Sequence, residues 1–278
     1  MRNNTDRLIL RAASAATALL VAWSAPAAAA DSNTQSRDVI VTIGAGPQFL
    51  PKYPGADHST LSPMPLGSFR HVGEPITFSA GDQGAGVGIL HLLGDKGTFD
   101  FGPVVQFQGA RRDKDVGAPV GKVGFTIEAG AFVQAYLTRY FRVRAEGRRG
   151  VNGHDAWVGD VSADLVARDG DATIFSIGPR LRLGDGRYQR AYFGVTPAAA
   201  LATGLAAYRP DKGGVYAVGA SSSLTHQFNG AWGMRAYAGY DRLVDQATDS
   251  PLVRRYGSRD QFSGGIGITY SFTVHRGS

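Results

Sequence analysis

The sequence predicts an all-β protein: an antiparallel transmembrane β-barrel of about 12 strands, with short turns at the periplasmic end and long loops at the external end. Three observations predict it. The final run, Gln261 to Phe272, alternates large apolar with small polar residues and closes on an aromatic pair, Tyr270 and Phe272. The N-terminus reads as an export signal. After residue 30, no stretch approaches the ~18 uninterrupted apolar residues of a helical crossing. A membrane-spanning chain without such helices must roll its strands into a barrel, since lipid offers no hydrogen bonds to an open backbone.

At the N-terminus, Arg2, Arg7 and Arg11 supply positive charge, Leu8 to Trp23 an apolar stretch, and Ala25-Pro26-Ala27-Ala28-Ala29-Ala30 the small residues of a cleavage site before Asp31. Residues 1–30 are therefore expected to be a cleavable signal peptide and 31–278 a single barrel domain. An uncleaved transmembrane helix is the rival reading, but the apolar run is shorter than the roughly 20 residues a bilayer needs. Losing the three arginines and Asp6 would take the formal net charge from +6 to about +4, spread along the chain. Nucleic-acid binding, which needs a clustered basic stripe, is not expected. With no cysteine, disulfides, thiolate metal sites and lipoprotein attachment are excluded.

In order, the alternation predicts strands at 38–49, 61–71, 74–81, 84–92, 98–109, 123–137, 140–149, 156–167, 173–184, 213–228, 231–244 and 260–273. Tight turns at Val72-Gly73, Thr138-Arg139 and Asn229-Gly230 alternate with long polar loops at 50–60, 110–122, 185–212 and 245–259. Asn229-Gly230 suits a type I′ hairpin, because both residues tolerate positive φ. The 81–84 link breaks the rule: it should be external, yet it is short. In the longest loop, Thr196 before Pro197 and the Ala-rich run Ala198 to Ala206 predict a short helix folded over or into the mouth.

The same alternation assigns faces. In the last strand Phe262, Ile266, Ile268, Tyr270 and Phe272 are expected to meet lipid, and Gln261, Ser263, Thr269 and Ser271 the lumen. By the same parity Glu128, Arg142, Arg144, Glu146, Arg148, Arg180 and Arg182 turn inward, with Asp160 and Asp164 opposing the arginines. An arginine facing lipid near the midplane would cost about 2–4 kcal/mol, so their shared parity supports the register. A soluble sandwich or lipocalin-like barrel would also alternate but would bury its large apolar residues. The inward charges read as a salt-bridge network or, alternatively, as a selectivity filter for a small anionic or zwitterionic solute.

No catalytic, metal or cofactor site is expected. Asp57-His58-Ser59 offers an acid, a base and a hydroxyl, but neighbours in sequence rarely converge as a triad, so a solvated turn is the simpler reading. There is no Gly-x-Ser-x-Gly elbow, and His71, His91, His154, His226 and His275 show neither His-x-x-x-His spacing nor a nearby carboxylate cluster. The strand glycines precede no phosphate-cradling helix.

Several short motifs occur together in a distinctive order: Gly44-Ala45-Gly46-Pro47, then Pro51, Tyr53, Pro54 and Gly55; Pro63-Met64-Pro65; Tyr192-Phe193-Gly194-Val195-Thr196-Pro197 through Thr203-Gly204-Leu205 and Tyr208; Leu243; Asp249-Ser250-Pro251; and Tyr270-Ser271-Phe272. In these the chain resembles the MltA-interacting protein (MipA/OmpV) family of Gram-negative outer-membrane proteins. The chain is read as a monomeric, non-enzymatic barrel in outer-membrane lipid, and the resemblance implies a scaffold that holds a murein lytic transglycosylase and an associated penicillin-binding synthase. A porin-like passive channel and a surface adhesin are the alternatives. Tyr270 and Phe272 read as interface aromatics and as the assembly signal of such barrels, although Thr273 to Ser278 extend past the usual terminal aromatic.

Overall fold

The computed structural model describes residues 38–93 and 98–275; the expected signal peptide, 1–30, lies outside the described residues. The strands are β1 (Val39–Pro51), β2 (Ser59–His71), β3 (Ala85–Gly86), β4 (Phe99–Gln108), β5 (Thr126–Thr138), β6 (Phe141–Gly150), β7 (Trp157–Asp169), β8 (Thr173–Gly184), β9 (Gly214–Gln227), β10 (Trp232–Leu243) and β11 (Asp260–Val274). Short helices fill the connections: α1 (Ile89–Leu92), α2 (Asp113–Val116), α3 (Gly186–Phe193), α4 (Pro197–Thr203), α5 (Gln246–Asp249) and α6 (Pro251–Tyr256). None of the helices among the described residues is long and apolar enough to cross a membrane.

The eleven strands of the described residues form one antiparallel sheet in the order β2-β1-β11-β10-β9-β8-β7-β6-β5-β4-β3. The first and last long strands pair, from Val39 opposite Val274 to Phe49 opposite Gly264, and this contact rolls the sheet. Its outer face is apolar: Phe262 is 64% exposed, Leu61 64%, Phe49 58% and Ile266 50%, while Gln261 and Thr269 on the opposite face of β11 are buried. That polarity is the reverse of a soluble sandwich and is what a lipid-facing wall requires.

The wall differs from the expected one at a single place. Residues 74–81 and 84–92 add no pair of full strands. Instead, 74–84 turn inward, and only Ala85–Gly86 join the sheet, opposite Val105 and Val104, before α1. The Gly81 N–H donates to Ser223 Oγ at 3.0 Å, Gln83 Nε2 donates to Ser162 Oγ at 3.3 Å, and Phe78 packs with Val166 and Ile174. Two local features favour this path. A Cβ on Gly81 would stand 2.5 Å from the Tyr237 side chain, so the hairpin approaches the wall as only glycine can. Pro75 and Gly84, Gly86 and Gly88 also make poor wall strands. The short 81–84 link therefore lies inside the barrel rather than outside it.

Prolines account for the open edge between β2 and β3. Val72 N–H donates to Asp38 O at 3.1 Å, so even-numbered residues of β2 bond to β1 and odd-numbered ones face away. Pro63 and Pro65 are odd-numbered, and Pro63 sits opposite Pro47, so their missing donors fall on the free edge. On the far side, Tyr136 N–H donates to Thr98 O, so Pro103 of β4 likewise turns its backbone to the open side, where its carbonyl accepts from Val87 N–H at 3.2 Å.

At the long-loop end, the connections pack into one apolar cluster that includes Tyr53, Val116, Tyr188, Tyr192, Phe193, Ala199, Leu243 and Leu252. Helix α4 starts as expected, with Thr196 Oγ1 accepting from Ala199 N–H at 3.2 Å and Pro197 in its first turn. It stops at Thr203, short of the expected Ala206, because Gly204 takes φ +73°. The Asn229-Gly230 connection is not a type I′ turn. Neither residue has positive φ, and Asn229 Oδ1 instead accepts from the N–H groups of Ala231 (2.9 Å) and Trp232 (2.8 Å). At the C-terminus, β11 runs two residues past Phe272, with Thr273 and Val274 paired to Ile40 and Val39; 276–278 lie outside the described residues.

Candidate functional site

Alternation along β5 to β8 brings a set of ionisable side chains to the inner face, where the inward hairpin shields them. Arg142, adjacent to Asp164 across the β6–β7 ladder, donates to it from Nη2 at 2.6 Å. Asp164 also meets Arg180 at 2.9 Å. Arg180 Nε reaches Asp82 of the hairpin at 2.7 Å, and Asp82 in turn accepts from Arg182 at 2.8 Å. Arg182 continues to Asp160 at 3.1 Å and Asp241 at 3.3 Å. Asp160 pairs with Arg148, which also holds Glu146 and, at 3.1 Å, Glu128; Arg144 closes on Glu146 at 2.7 Å. The result is one continuous chain of ion pairs across the interior, with carboxylates from the hairpin and from β5, β6, β7 and β10.

Two arginines in this chain also stack on aromatic rings. The Arg144 guanidinium lies 3.6 Å from the Phe132 ring centroid, and that of Arg142 lies 4.3 Å from Phe78. Most of these groups are buried; Asp164 is 0% exposed and Arg142 1%. A charge at such a place is tolerated only with its partners present, and removing one partner typically costs about 3–5 kcal/mol. The arginines Arg142, Arg144, Arg148, Arg180 and Arg182 face Asp82, Glu128, Glu146, Asp160, Asp164 and Asp241, so the signs nearly cancel and no strong one-signed field remains to select ions.

Strand alternation puts Glu128, Asp160, Asp164 and the five arginines on one parity, and the structure joins them. Their further partners Asp82, Asp241 and His154 are not singled out by that alternation. His154 Nε2 lies 3.0 Å from Glu128 Oε1, and Nδ1 accepts from Ala156 N–H at 3.1 Å. The ring also meets the edges of Tyr188 and Tyr192 beneath the loop cluster. With both nitrogens engaged, this imidazole links the ion-pair chain to the cap. Asp57 and His58 do pair, at 2.7 Å, but are well exposed. Tyr270 and Phe272 project from the outer face, 40% and 38% exposed, and Tyr270 packs on Trp232 with ring centroids 4.9 Å apart, as interfacial aromatics do. Among the described residues no cluster of three His, Asp or Glu is placed to hold a metal.

Comparison with protein families gives a match to the model described as MltA-interacting protein MipA over residues 43–272, nearly the whole wall from β1 to β11. The chain belongs to the MipA family. No curated protein matches it. Among solved structures, it is similar to the translocator domain of autotransporter NalP from Neisseria meningitidis, at 11% identity over 86% of this chain and 90% of that one, with a TM-score of 0.37. It is also similar to the Pseudomonas putida toluene transporter TodX, at 8% identity, 86% and 90% coverage and a TM-score of 0.31. A Pseudomonas aeruginosa FadL homologue gives 12% identity, the same coverages and a TM-score of 0.27. Likeness this slight says nothing about the role of this MipA-family barrel.

Proposed function

We propose that this MipA-family protein is an outer-membrane scaffold, exported by its N-terminal signal, that holds a murein lytic transglycosylase and an associated penicillin-binding synthase at the periplasmic face. Membership of a family described as MltA-interacting is the ground for the partner. The apolar outer face, with Trp232 and Tyr270 at its short-turn end, supports the membrane location. The observation that favours a scaffold over a porin-like channel is the occupied interior: the inward hairpin is tied by Asp82 to Arg180 and Arg182, and the loop cluster lies over the opposite end. A barrel so filled offers solutes a poor path.

Two measurements test this reading. Protein shown to be folded by a heat-dependent mobility shift should be electrically silent in a planar bilayer, and steady ion-selective openings would overturn the preference for a scaffold. In parallel, the folded barrel in nanodiscs should capture a lytic transglycosylase, and exchanging the Arg139-Tyr140 turn for Asn-Gly should weaken that capture without altering the mobility shift.

A further inference from the structure

At the short-turn end, beside the base of the inward hairpin, the interior opens into a cavity of about 330 Å³. Its lining combines hydroxyls (Thr42, Thr225, Thr269) with Arg70, Arg235 and Asp171. Arg235 sits on the inward parity of β10, two residues before the buried Tyr237. Its cross-strand neighbours are Thr225 on β9 and Gly267 on β11, a hydroxyl on one side and no side chain on the other.

Unlike the arginines of the ion-pair chain, Arg235 makes no hydrogen bond or ion pair among the described residues, and its Nε is out of solvent without a partner. Arg70 differs: it donates to the Glu74 carbonyl and stands 3.7 Å from Asp171. Arg235 therefore stands in the recess without an ion pair, because the carboxylate in the lining, Asp171, lies against Arg70, and an incoming anion relieves that state.

We propose that this recess binds a single carboxylate group, gripped by the Arg235 guanidinium with Thr225 and Thr269 donating alongside. A planar guanidinium matches a carboxylate through two parallel N–H bonds. One negative charge fits better than two, because Asp171 already lines the cavity and would repel a dianion. Ile76 in the same lining offers an apolar surface to the carbon attached to that carboxylate. The carboxylate could belong to a free small acid or to a peptide terminus, and the site does not depend on which protein, if any, the barrel holds.

Full-length protein in nanodiscs is titrated calorimetrically with acetate, with trialanine and with trialanine amide. Wild type should bind acetate, trialanine or both, and R235Q should bind about tenfold more weakly or not at all. Binding of acetate alone assigns the site to small acids, and binding of trialanine alone assigns it to peptide termini; either supports the proposal. It is overturned if neither acid binds, if the amide binds as tightly as the acid, or if R235Q is unchanged. D171N, which leaves Arg235 intact, supplies a second reading: it should tighten binding by removing the competing carboxylate, and weaker or equal binding would count against the site.

Discussion

Asp82 shows at the scale of one residue how the interior is held. It is the carboxylate that the inward hairpin brings between Arg180 and Arg182, 98 and 100 residues away in the chain. Asp82→Asn keeps the shape and some hydrogen bonding but leaves two guanidiniums sharing the remaining acids. We expect it to destabilise the folded barrel by about 3–5 kcal/mol, read as a lower urea midpoint for loss of the compact, heat-modifiable band. A midpoint equal to wild type would mean that the hairpin is not anchored by this pair. The arginines themselves were legible, because parity along a strand is a local property and a charge on the lipid side is costly. Their partner Asp82 was not, since it sits in a Gly-rich link whose neighbours in sequence carry no sign of arginines so distant.

At the scale of an element, β2 is a long strand with one bare edge. Pro63 and Pro65 withhold two N–H groups from that edge, a device that discourages another strand from pairing there. In P63V/P65V those donors return. The variant is expected to self-associate through β2, seen as an increased fraction of cross-linked dimer in detergent, where wild type gives monomer; monomer alone in the variant would show that the prolines do not guard the edge. Helix α4 lies at the opposite pole of legibility. Thr196 and Pro197 mark its start through short-range capping, and the structure obeys them, whereas its stop at Gly204 comes before the expected Ala206. Residues 74–81 and 84–92 carried a strand-like alternation too, but whether such a run joins the wall or turns inside it is decided by what the interior needs, and here that was an acid.

For the whole molecule, the hairpin and the loop cluster together decide whether a path runs through the barrel. Replacing residues 76–83 with a Gly-Ser linker should convert a silent barrel into one with measurable conductance; the arginines it uncovers should then favour anions, as an unpaired basic lining does. Silence in a variant that still folds would assign the barrier to the cap formed by Tyr53, Tyr192, Phe193 and Leu252.

By itself, the sequence determined an antiparallel barrel sheet, its apolar outer and polar inner faces, and the sides on which the loops are long, because all of these follow from period-two alternation and turn chemistry within a few residues. Only the tertiary structure decided that one expected hairpin leaves the wall, that its carboxylate completes the arginine chain, and that Arg235 stands beside a cavity without an ion-pair partner. Those outcomes turn on charge balance among side chains from many strands, and an ion pair becomes visible only once the sheet has rolled and brought its members within a few ångströms of one another.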